Sequence, residues 1–252
     1  MKIATPALAI YLMADDGVVE LAEAAVRGGA TAIELGIPFS DPLADGPTVQ
    51  RAGQRALRHG ITADRALGLL AELRARVDVP LIPMTYAGPV LAQGEQRFCE
   101  RAAGAGADAL IVPDLPHDEA GELLAGCRRF GLDLVPLLAP TSRDDRIAAA
   151  CADAGGFVYL VSVAGVTGSR DSLSDRVAPM VARVRPHTGL PLLVGFGISS
   201  GEAARAVLDA GADGVIIGSK AIEVAEAEGS EGLERFVRGV AAALNHVSIA
   251  RD

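Results

Sequence analysis

A pattern that occurs three times limits the possible folds of this chain more than any other feature. The segments RGGATAIELG (27–36), GAGADALIVPD (104–114) and DAGADGVIIGS (209–219) each place glycine after an amphipathic stretch, followed by a short turn and an apolar run. Glycine suits the left-handed conformation that closes many helices. An unbroken apolar run is typical of a strand buried on both faces, as in a parallel sheet. The sequence therefore predicts a repeated helix–turn–strand unit.

Eight apolar runs of this kind are separated by amphipathic stretches such as VVELAEAAVRGG and TADRALGLLAELRARV. Alternating helices and eight strands predict a (β/α)8 TIM barrel that spans residues 1–252 as a single domain, a common length for such barrels. A doubly wound open sheet is the alternative, but it would normally carry a glycine-rich fingerprint where this chain has MADDG. The predicted strands cover residues 7–13, 31–37, 80–86, 107–113, 132–139, 157–163, 191–197 and 212–217.

Composition and charge argue against several partners. The net charge of −9 makes nucleic acids and anionic membrane surfaces poor candidates. No segment approaches the roughly 20 apolar residues of a membrane span. The apolar start reads as a first strand rather than a signal peptide, because Asp15 and Asp16 follow it without a cleavage site. Cys99, Cys127 and Cys151 lack CxxC spacing and are predicted to be small buried thiols, so a cytoplasmic location is expected.

The segment TAIELGIPFSDPLADGP (31–47) carries carboxylates near the end of the second predicted strand. In barrels, this end of the strands carries the active site. Glu34 would be costly to bury without a function or a partner, and burial would raise its pKa toward the range that suits acid/base catalysis near neutral pH. Asp41 and Asp45 could each simply form a turn. Together with Glu34, however, this loop offers more than one carboxylate at the barrel mouth.

A phosphate site is predicted on the other side of the barrel. VGFGISS (194–200) ends the seventh predicted strand, IIGSK (216–220) ends the eighth, and GVTGSR (165–170) follows the sixth. Glycine and serine at the starts of helices present free N–H groups and the positive end of the helix dipole. The loops after strands seven and eight are the usual phosphate location in such barrels. We therefore expect a phosphorylated ligand whose reacting end faces Glu34 and Asp45.

Some chemistries are disfavoured by the residues that the chain lacks. Its two lysines, Lys2 and Lys220, lie outside the predicted strands, whereas a Schiff-base aldolase needs a lysine that projects into the barrel. The four histidines show no HxH or HExxH spacing, so neither a metal nor another cofactor is expected. Acid/base chemistry by carboxylates remains. Tyr86 and Tyr159 could assist it or simply fill the core.

Six segments, in order along the chain, resemble motifs of the tryptophan synthase α subunit family: IELGIPFSDPLADGPTVQRA, MTYAGPVL, LIVPDLPHDE, AGVTGSR, VGFGISS and GVIIGS. The resemblance covers nearly the whole chain from about Ala7. It implies retro-aldol cleavage of indole-3-glycerol phosphate to indole and glyceraldehyde 3-phosphate.

The resemblance also implies roles for individual residues. Glu34 would protonate the indole ring carbon and accept the glycerol hydroxyl proton, and Asp45 would hold the indole N–H and stabilise the indolenine cation. Tyr159 would lie near the acid/base, and Asp41 would be loop scaffold. The implied phosphate-binding residues are Gly168, Phe196, Gly197, Gly218 and Ser219.

A partner is implied as well, namely a pyridoxal-phosphate β subunit in an α2β2 complex of tryptophan biosynthesis. Some departures from the family pattern fall on surface that the family uses near this partner. Gly88 stands where asparagine is usual, Val163 stands where a basic residue is common, and no extra helix precedes the first predicted strand.

Alternative functions stay open at this point. The chain could be a stand-alone indole-3-glycerol phosphate lyase of a specialised pathway. It could also be a catalytically silent homologue that activates a β subunit, although the presence of both Glu34 and Asp45 argues against this. A sugar-phosphate isomerase is a further possibility, but the loop after the second strand does not suit it.

Overall fold

Strands and helices alternate along most of the chain in the computed structural model, which describes residues 1–161, 173–195 and 197–245. The described strands are β1 (Ala7–Met13), β2 (Ala32–Gly36), β3 (Leu81–Met84), β4 (Ala109–Leu110), β5 (Asp133–Leu134), β6 (Leu137–Leu138), β7 (Val158–Val161), β8 (Leu192–Gly195) and β9 (Gly214–Ile217). The described α-helices are α1 (Val18–Arg27), α2 (Pro47–Arg58), α3 (Ala63–Arg74), α4 (Ala87–Gln93), α5 (Glu95–Gly104), α6 (Gly121–Phe130), α7 (Asp144–Asp153), α8 (Leu173–Val184), α9 (Gly201–Asp209) and α10 (Ser219–Asn245).

The strands curl into a parallel barrel, so the predicted fold class is confirmed. Hydrogen-bonded pairing runs in the order β3, β2, β1, β9, β8, β7 and β6, and β4 pairs separately with β5. Met84 at the end of β3 forms a parallel bridge with Ile111, just after β4. The Ile111 N–H also donates to the Pro83 carbonyl at 3.1 Å. These contacts connect β4 to the edge of the larger sheet.

β5 and β6 together occupy the fifth barrel position, which the sequence predicted as one strand. In the interval between them, the Val135 N–H donates to the Leu110 carbonyl and the Tyr159 N–H donates to the Pro136 carbonyl, both at 3.0 Å. Pro136 has no N–H to contribute to the ladder. Eight barrel positions result, and β8 and β9 correspond to the predicted strands seven and eight.

Three identical helix ends explain the repeated sequence pattern. Gly29, Gly106 and Gly211 have φ of 106°, 88° and 95°. Each of these glycines donates its N–H to the carbonyl three residues earlier, and the alanine that follows donates to the carbonyl five residues earlier. This double closure is the Schellman motif, whose left-handed residue glycine provides at little steric cost. The same turn therefore leads the chain into β2, β4 and β9.

The core consists of the barrel interior and the layer between strands and helices. Every residue of β1 and of β2 is buried, as expected for strands that are covered on both faces. The three cysteines are also buried, as predicted. Among the helices of the described residues, none is both long enough and apolar enough to cross a membrane.

Candidate active site

A cavity of about 300 Å³ lies at the C-terminal end of the barrel strands. The loops after β2, β8 and β9 contribute to it, which is the expected position for a site in this fold. Its described lining comprises Tyr11, Glu34, Asp45, Gly46, Val49, Met84, Tyr159, Gly197, Ile198, Ser199, Ile216, Gly218, Ser219, Lys220 and Glu223.

Glu34 is a buried carboxyl group of β2 on the wall of this cavity. Glu34 is only 1 % exposed, and neither of its carboxyl oxygens has a hydrogen-bond partner among the described residues. Burial raises its pKa to about 8, and the nearby charge of Asp45 acts in the same direction. A buried polar group without a partner is costly, so this arrangement is poor for stability and leaves both oxygens available to a ligand.

Asp45 approaches the same cavity from the loop between β2 and α2. Burial raises its pKa to about 6, although a hydrogen bond from the Tyr86 hydroxyl opposes the shift. The Tyr86 oxygen also accepts the Ala44 N–H at 3.2 Å, and the Tyr86 ring stacks on Phe39 with centroids 5.5 Å apart. Tyr86 therefore fills the core with its ring and holds the Asp45 loop with its hydroxyl. A Cβ at Gly88 would lie 3.0 Å from the Phe39 ring, so this glycine leaves room for the stack.

Two buried tyrosines flank Glu34. Tyr11 of β1 is directly opposite Glu34 in the parallel register, and Tyr159 of β7 lines the same cavity. The pKa of each hydroxyl is well above its usual value, first because of burial and then because Glu34 and Asp45 are near. A Cβ at Gly36 would lie 2.0 Å from the Tyr11 oxygen, and one at Gly195 would lie 2.1 Å from the Tyr159 oxygen. Glycine at these strand ends makes space for both rings.

Another part of the cavity wall contains two helix starts. Gly197, at φ 77°, lies in the loop between β8 and α9, and Ser200 caps α9 by accepting the Ala203 N–H at 3.1 Å. Gly218 directly precedes α10, which begins at Ser219. The first N–H groups of a helix have no intrahelical partner and lie at the positive end of its dipole. This wall is suited to an anion such as phosphate.

A possible metal-binding group lies elsewhere. Asp15, Asp16 and His59 are the one cluster of at least three metal-capable side chains within the described parts of the chain. The Asp15 carboxylate already contacts His59 Nδ1 at 2.8 Å and Arg55 Nε at 3.2 Å. Partial burial acts to raise the pKa of Asp15, but these contacts and the Asp16 N–H lower it by more, so its pKa lies below the usual value. We assign no ion to this cluster.

Six of the predicted site residues line this one cavity: Glu34, Asp45, Tyr159, Gly197, Gly218 and Ser219. Gly168 and Phe196 lie outside the described residues, as does Val163. Whether the six residues catalyse and bind stays a prediction. Sequence reasoning missed Tyr11 and the apolar lining by Val49, Met84, Ile198 and Ile216. Only the register of β1 against β2 could have shown that Tyr11 faces the same way as Glu34.

Comparison with known proteins gives a consistent result. The sequence model of the family described as tryptophan synthase alpha chain matches residues 4–247. A tryptophan synthase alpha chain of Synechococcus elongatus is 45 % identical over 243 residues, which cover 95 % of this chain and 91 % of that protein. The crystal structure of tryptophan synthase subunit alpha from Legionella pneumophila has a TM-score of 0.87 and 34 % identity, covering 95 % and 93 % of the two chains. A chain from the tryptophan synthase complex of Pyrococcus furiosus has a TM-score of 0.85 and 32 % identity, covering 95 % and 99 %.

Proposed function

This chain belongs to the tryptophan synthase alpha chain family, and from that premise we propose that it cleaves indole-3-glycerol phosphate to indole and glyceraldehyde 3-phosphate. It is a carbon–carbon lyase of tryptophan biosynthesis. The single observation that best supports the reaction is Glu34, a carboxyl group with about 1 % exposure and no described hydrogen-bond partner that nevertheless faces a ligand-sized cavity.

The first step of the reaction requires an acid. With a pKa of about 8, Glu34 carries its proton at neutral pH. It donates this proton to C3 of the indole ring, and the ring becomes an indolenine cation. The cation then acts as the electron sink for cleavage of the carbon–carbon bond, so the reaction needs neither a Schiff base nor a metal.

The second step returns the proton. As the bond between C3 and the glycerol carbon breaks, its electron pair moves into the ring and the adjacent hydroxyl becomes the aldehyde of glyceraldehyde 3-phosphate. Glu34, now a carboxylate, accepts the hydroxyl proton and regains its starting form. One carboxyl group thus acts first as the general acid and then as the general base.

Asp45 has a different role because its environment is different. With a pKa of about 6, it is mainly a carboxylate at neutral pH. It accepts a hydrogen bond from the indole N–H, and its negative charge stabilises the cation formed in the first step. Two carboxyl groups whose pKa values differ can therefore supply one acid and one anion at the same pH.

The phosphate end of the substrate would lie against the two helix starts. Backbone N–H groups around Gly197, Gly218 and Ser219 would donate to the phosphate oxygens, aided by the dipoles of α9 and α10. Gly168 and Phe196 are proposed to belong to the same subsite, from their positions in the family motifs.

We also propose a tryptophan synthase β subunit as the partner. Exposed leucines at the barrel mouth support this. Leu43, on the Asp45 loop, is 77 % exposed, and Leu91, on α4 just beyond β3, is 58 % exposed. Large apolar side chains near the mouth of a site are suited to a protein interface that covers that mouth.

The direct test is to incubate the purified chain with indole-3-glycerol phosphate, with and without a β subunit, and to measure indole. The absence of tryptophan from the chain makes ultraviolet detection of indole clean. Glu34→Gln keeps the shape of the side chain but removes its proton, and we expect it to lower the rate by at least about 10²-fold while the substrate still binds. A variant that keeps more than about a tenth of the activity would show that another residue carries the proton.

Asp45→Asn tests the second role. An amide cannot balance a developing cation as a carboxylate does, so we expect a loss of turnover of about 10²-fold or more. Measuring the substrate affinity separately from kcat decides its meaning. A loss confined to affinity would mean that Asp45 is only a turn residue. If the unmodified chain released no indole, either with or without a β subunit, the proposed lyase function would be wrong.

A further inference from the structure

The cavity is poor in positive charge for a site that binds a phosphate. Among its described lining residues, Glu34, Asp45 and Glu223 are acidic and Lys220 is the one basic residue. The whole chain has a net charge of −9. A phosphate ester carries about −1.5 to −2 charges near pH 7, whereas a helix N-terminus supplies the equivalent of about half a positive charge. A cation is therefore valuable at this position.

Lys220 is placed to supply that charge. It is the second residue of α10, directly after Ser219, and it is one of the residues that line the cavity beside the proposed phosphate wall. A lysine ammonium on its flexible stem can bind phosphate as a point charge. The side chain is 39 % exposed, so it has freedom to move toward a ligand.

Glu223 currently attracts this ammonium. The Nζ of Lys220 lies 3.7 Å from Oε2 of Glu223, which is too far for a good hydrogen bond. The other Glu223 oxygen accepts a hydrogen bond from Thr48 Oγ1 at 3.3 Å, so α2 helps to hold the carboxylate in place. The ordinary interpretation would be a solvated pair on a helix surface, which has little effect on binding. That interpretation does not account for the fact that both residues line the cavity.

We propose that Lys220 is a phosphate-binding residue whose ammonium moves from Glu223 to the phosphate of the bound ligand, and that Glu223 weakens phosphate binding by competing for it. The inference rests on the proposed function, because it requires a phosphorylated substrate. It makes two predictions of opposite sign for two residues one helical turn apart.

The test measures the Kd for glyceraldehyde 3-phosphate by calorimetry and the KM for indole-3-glycerol phosphate. Lys220→Met should raise both about tenfold and should flatten the dependence of Kd on ionic strength, whereas Lys220→Arg should restore most of the affinity. Glu223→Gln should lower the Kd about twofold to fivefold. Indole, which has no phosphate, serves as the uncharged probe and should bind equally well to all variants.

Lys2→Met is the matched control, since it removes the other lysine from an exposed position before β1, at the opposite end of the barrel. It should change none of these values. Equal Kd and equal salt dependence for Lys220→Met and the unmodified chain would overturn the inference. So would weaker binding by Glu223→Gln, even if Lys220→Met failed to fold. An unmodified chain that binds no glyceraldehyde 3-phosphate and releases no indole would instead refute the proposed function.

Discussion

Glu34 and Asp45 differ in pKa in the direction that their proposed roles require. Glu34 is buried almost completely and keeps its proton to about pH 8, whereas Asp45 loses its proton at about pH 6. Both values are raised chiefly by loss of solvent, but Tyr86 donates a hydrogen bond that favours the charged form of Asp45. The proposed role of each carboxyl group therefore follows from its surroundings, since the two side chains have similar intrinsic acidity.

This difference predicts a bell-shaped pH dependence of kcat/KM. Below about pH 6, Asp45 becomes neutral and can no longer balance the cation; above about pH 8, Glu34 loses the proton that it must donate. Phosphate esters also titrate near pH 6, so the acid limb could report the substrate as well as Asp45. The alkaline limb is therefore the more specific test of Glu34. It can be checked by a carboxyl ¹³C resonance that titrates near pH 8 and is missing in Glu34→Gln. Activity that stays level to pH 9.5, or a Glu34 resonance that titrates at about pH 4, would contradict the assignment.

The same carboxyl group should cost the protein stability. Because its pKa is raised on folding, Glu34 binds its proton more tightly in the folded state, so its contribution to stability falls as the pH rises from about 4.5 toward about 8. Glu34→Gln cannot ionise and should avoid this loss. We expect a higher unfolding midpoint than the unmodified chain by several degrees at pH 8.5, with little difference at pH 5.

Calorimetry or thermal unfolding followed by circular dichroism at the two pH values would check this prediction. Glu100→Gln, on the exposed surface in the middle of α5, is the matched control and should leave the midpoint unchanged at both. A midpoint that is lower at pH 8.5 for Glu34→Gln would mean that the Glu34 carboxylate is better solvated than its burial indicates. The expected combination of a more stable and less active variant is common at catalytic residues.

At the scale of strands, the pairing of β1 with β2 places Tyr11 beside Glu34. Gly36 is required for this arrangement, because a Cβ there would lie 2.0 Å from the Tyr11 oxygen. We expect Gly36→Ala to lower the free energy of unfolding by about 1–3 kcal/mol and to displace the tyrosine from the cavity. Gly68→Ala in α3, where a Cβ meets no atom within 4 Å, should instead be neutral or stabilising.

Chemical denaturation of both alanine variants, alone and in a Tyr11→Leu background, would measure these effects. The cost of Gly36→Ala should shrink once the tyrosine is gone, whereas the effect of Gly68→Ala should not change. An equal cost in both backgrounds would place the strain outside the Tyr11 contact.

The strand count could be predicted from the sequence, but the strand ends could not. Apolar runs mark burial, and burial continues beyond the hydrogen-bonded ladder; Ile111 and Val112 are buried although β4 ends at Leu110. The predicted strands are accordingly longer than most of the observed ones. The division of the fifth barrel position at Val135 and Pro136 arises because the Val135 N–H bonds to the strand on one side and the Pro136 carbonyl accepts from the strand on the other, and this is a property of the closed barrel.

The candidate site, like the strands, could be predicted from the sequence only in part. Glu34 and the glycine-rich helix starts carry local signals, namely a charge in an apolar strand and small residues before a helix. Tyr11 carries no such signal, since a tyrosine in a buried strand is most simply a core residue. Its position opposite Glu34 is determined by the register between two strands that are about 20 residues apart in the chain.

At the scale of the whole molecule, the proposed catalysis depends on the loop between β2 and α2 that carries Asp45. Asp45 lies on a loop whose described anchors include the Ala44 N–H to the Tyr86 oxygen at 3.2 Å and the Gln50 amide to the Asp45 carbonyl at 2.9 Å. Leu43, on the same loop, remains 77 % exposed. A partner that covers Leu43 and Leu91 would favour one loop conformation, and each tenfold gain in that population requires about 1.4 kcal/mol of preferential binding.

We therefore expect slow indole release by the isolated chain and at least tenfold stimulation by a cognate tryptophan synthase β subunit. Leu91→Glu should reduce the stimulation about tenfold or more by placing a charge in the interface, while the rate without the partner stays the same, because Leu91 is not among the residues that line the cavity. Leu57→Glu is the matched control, since Leu57 is also exposed but lies at the far end of α2. Indole release measured against β-subunit concentration gives both the maximal stimulation and the apparent affinity. Full turnover by the isolated chain, with no complex detected by gel filtration, would favour the stand-alone lyase. Equal losses of stimulation in Leu57→Glu and Leu91→Glu would mean that the docking surface is not at the barrel mouth.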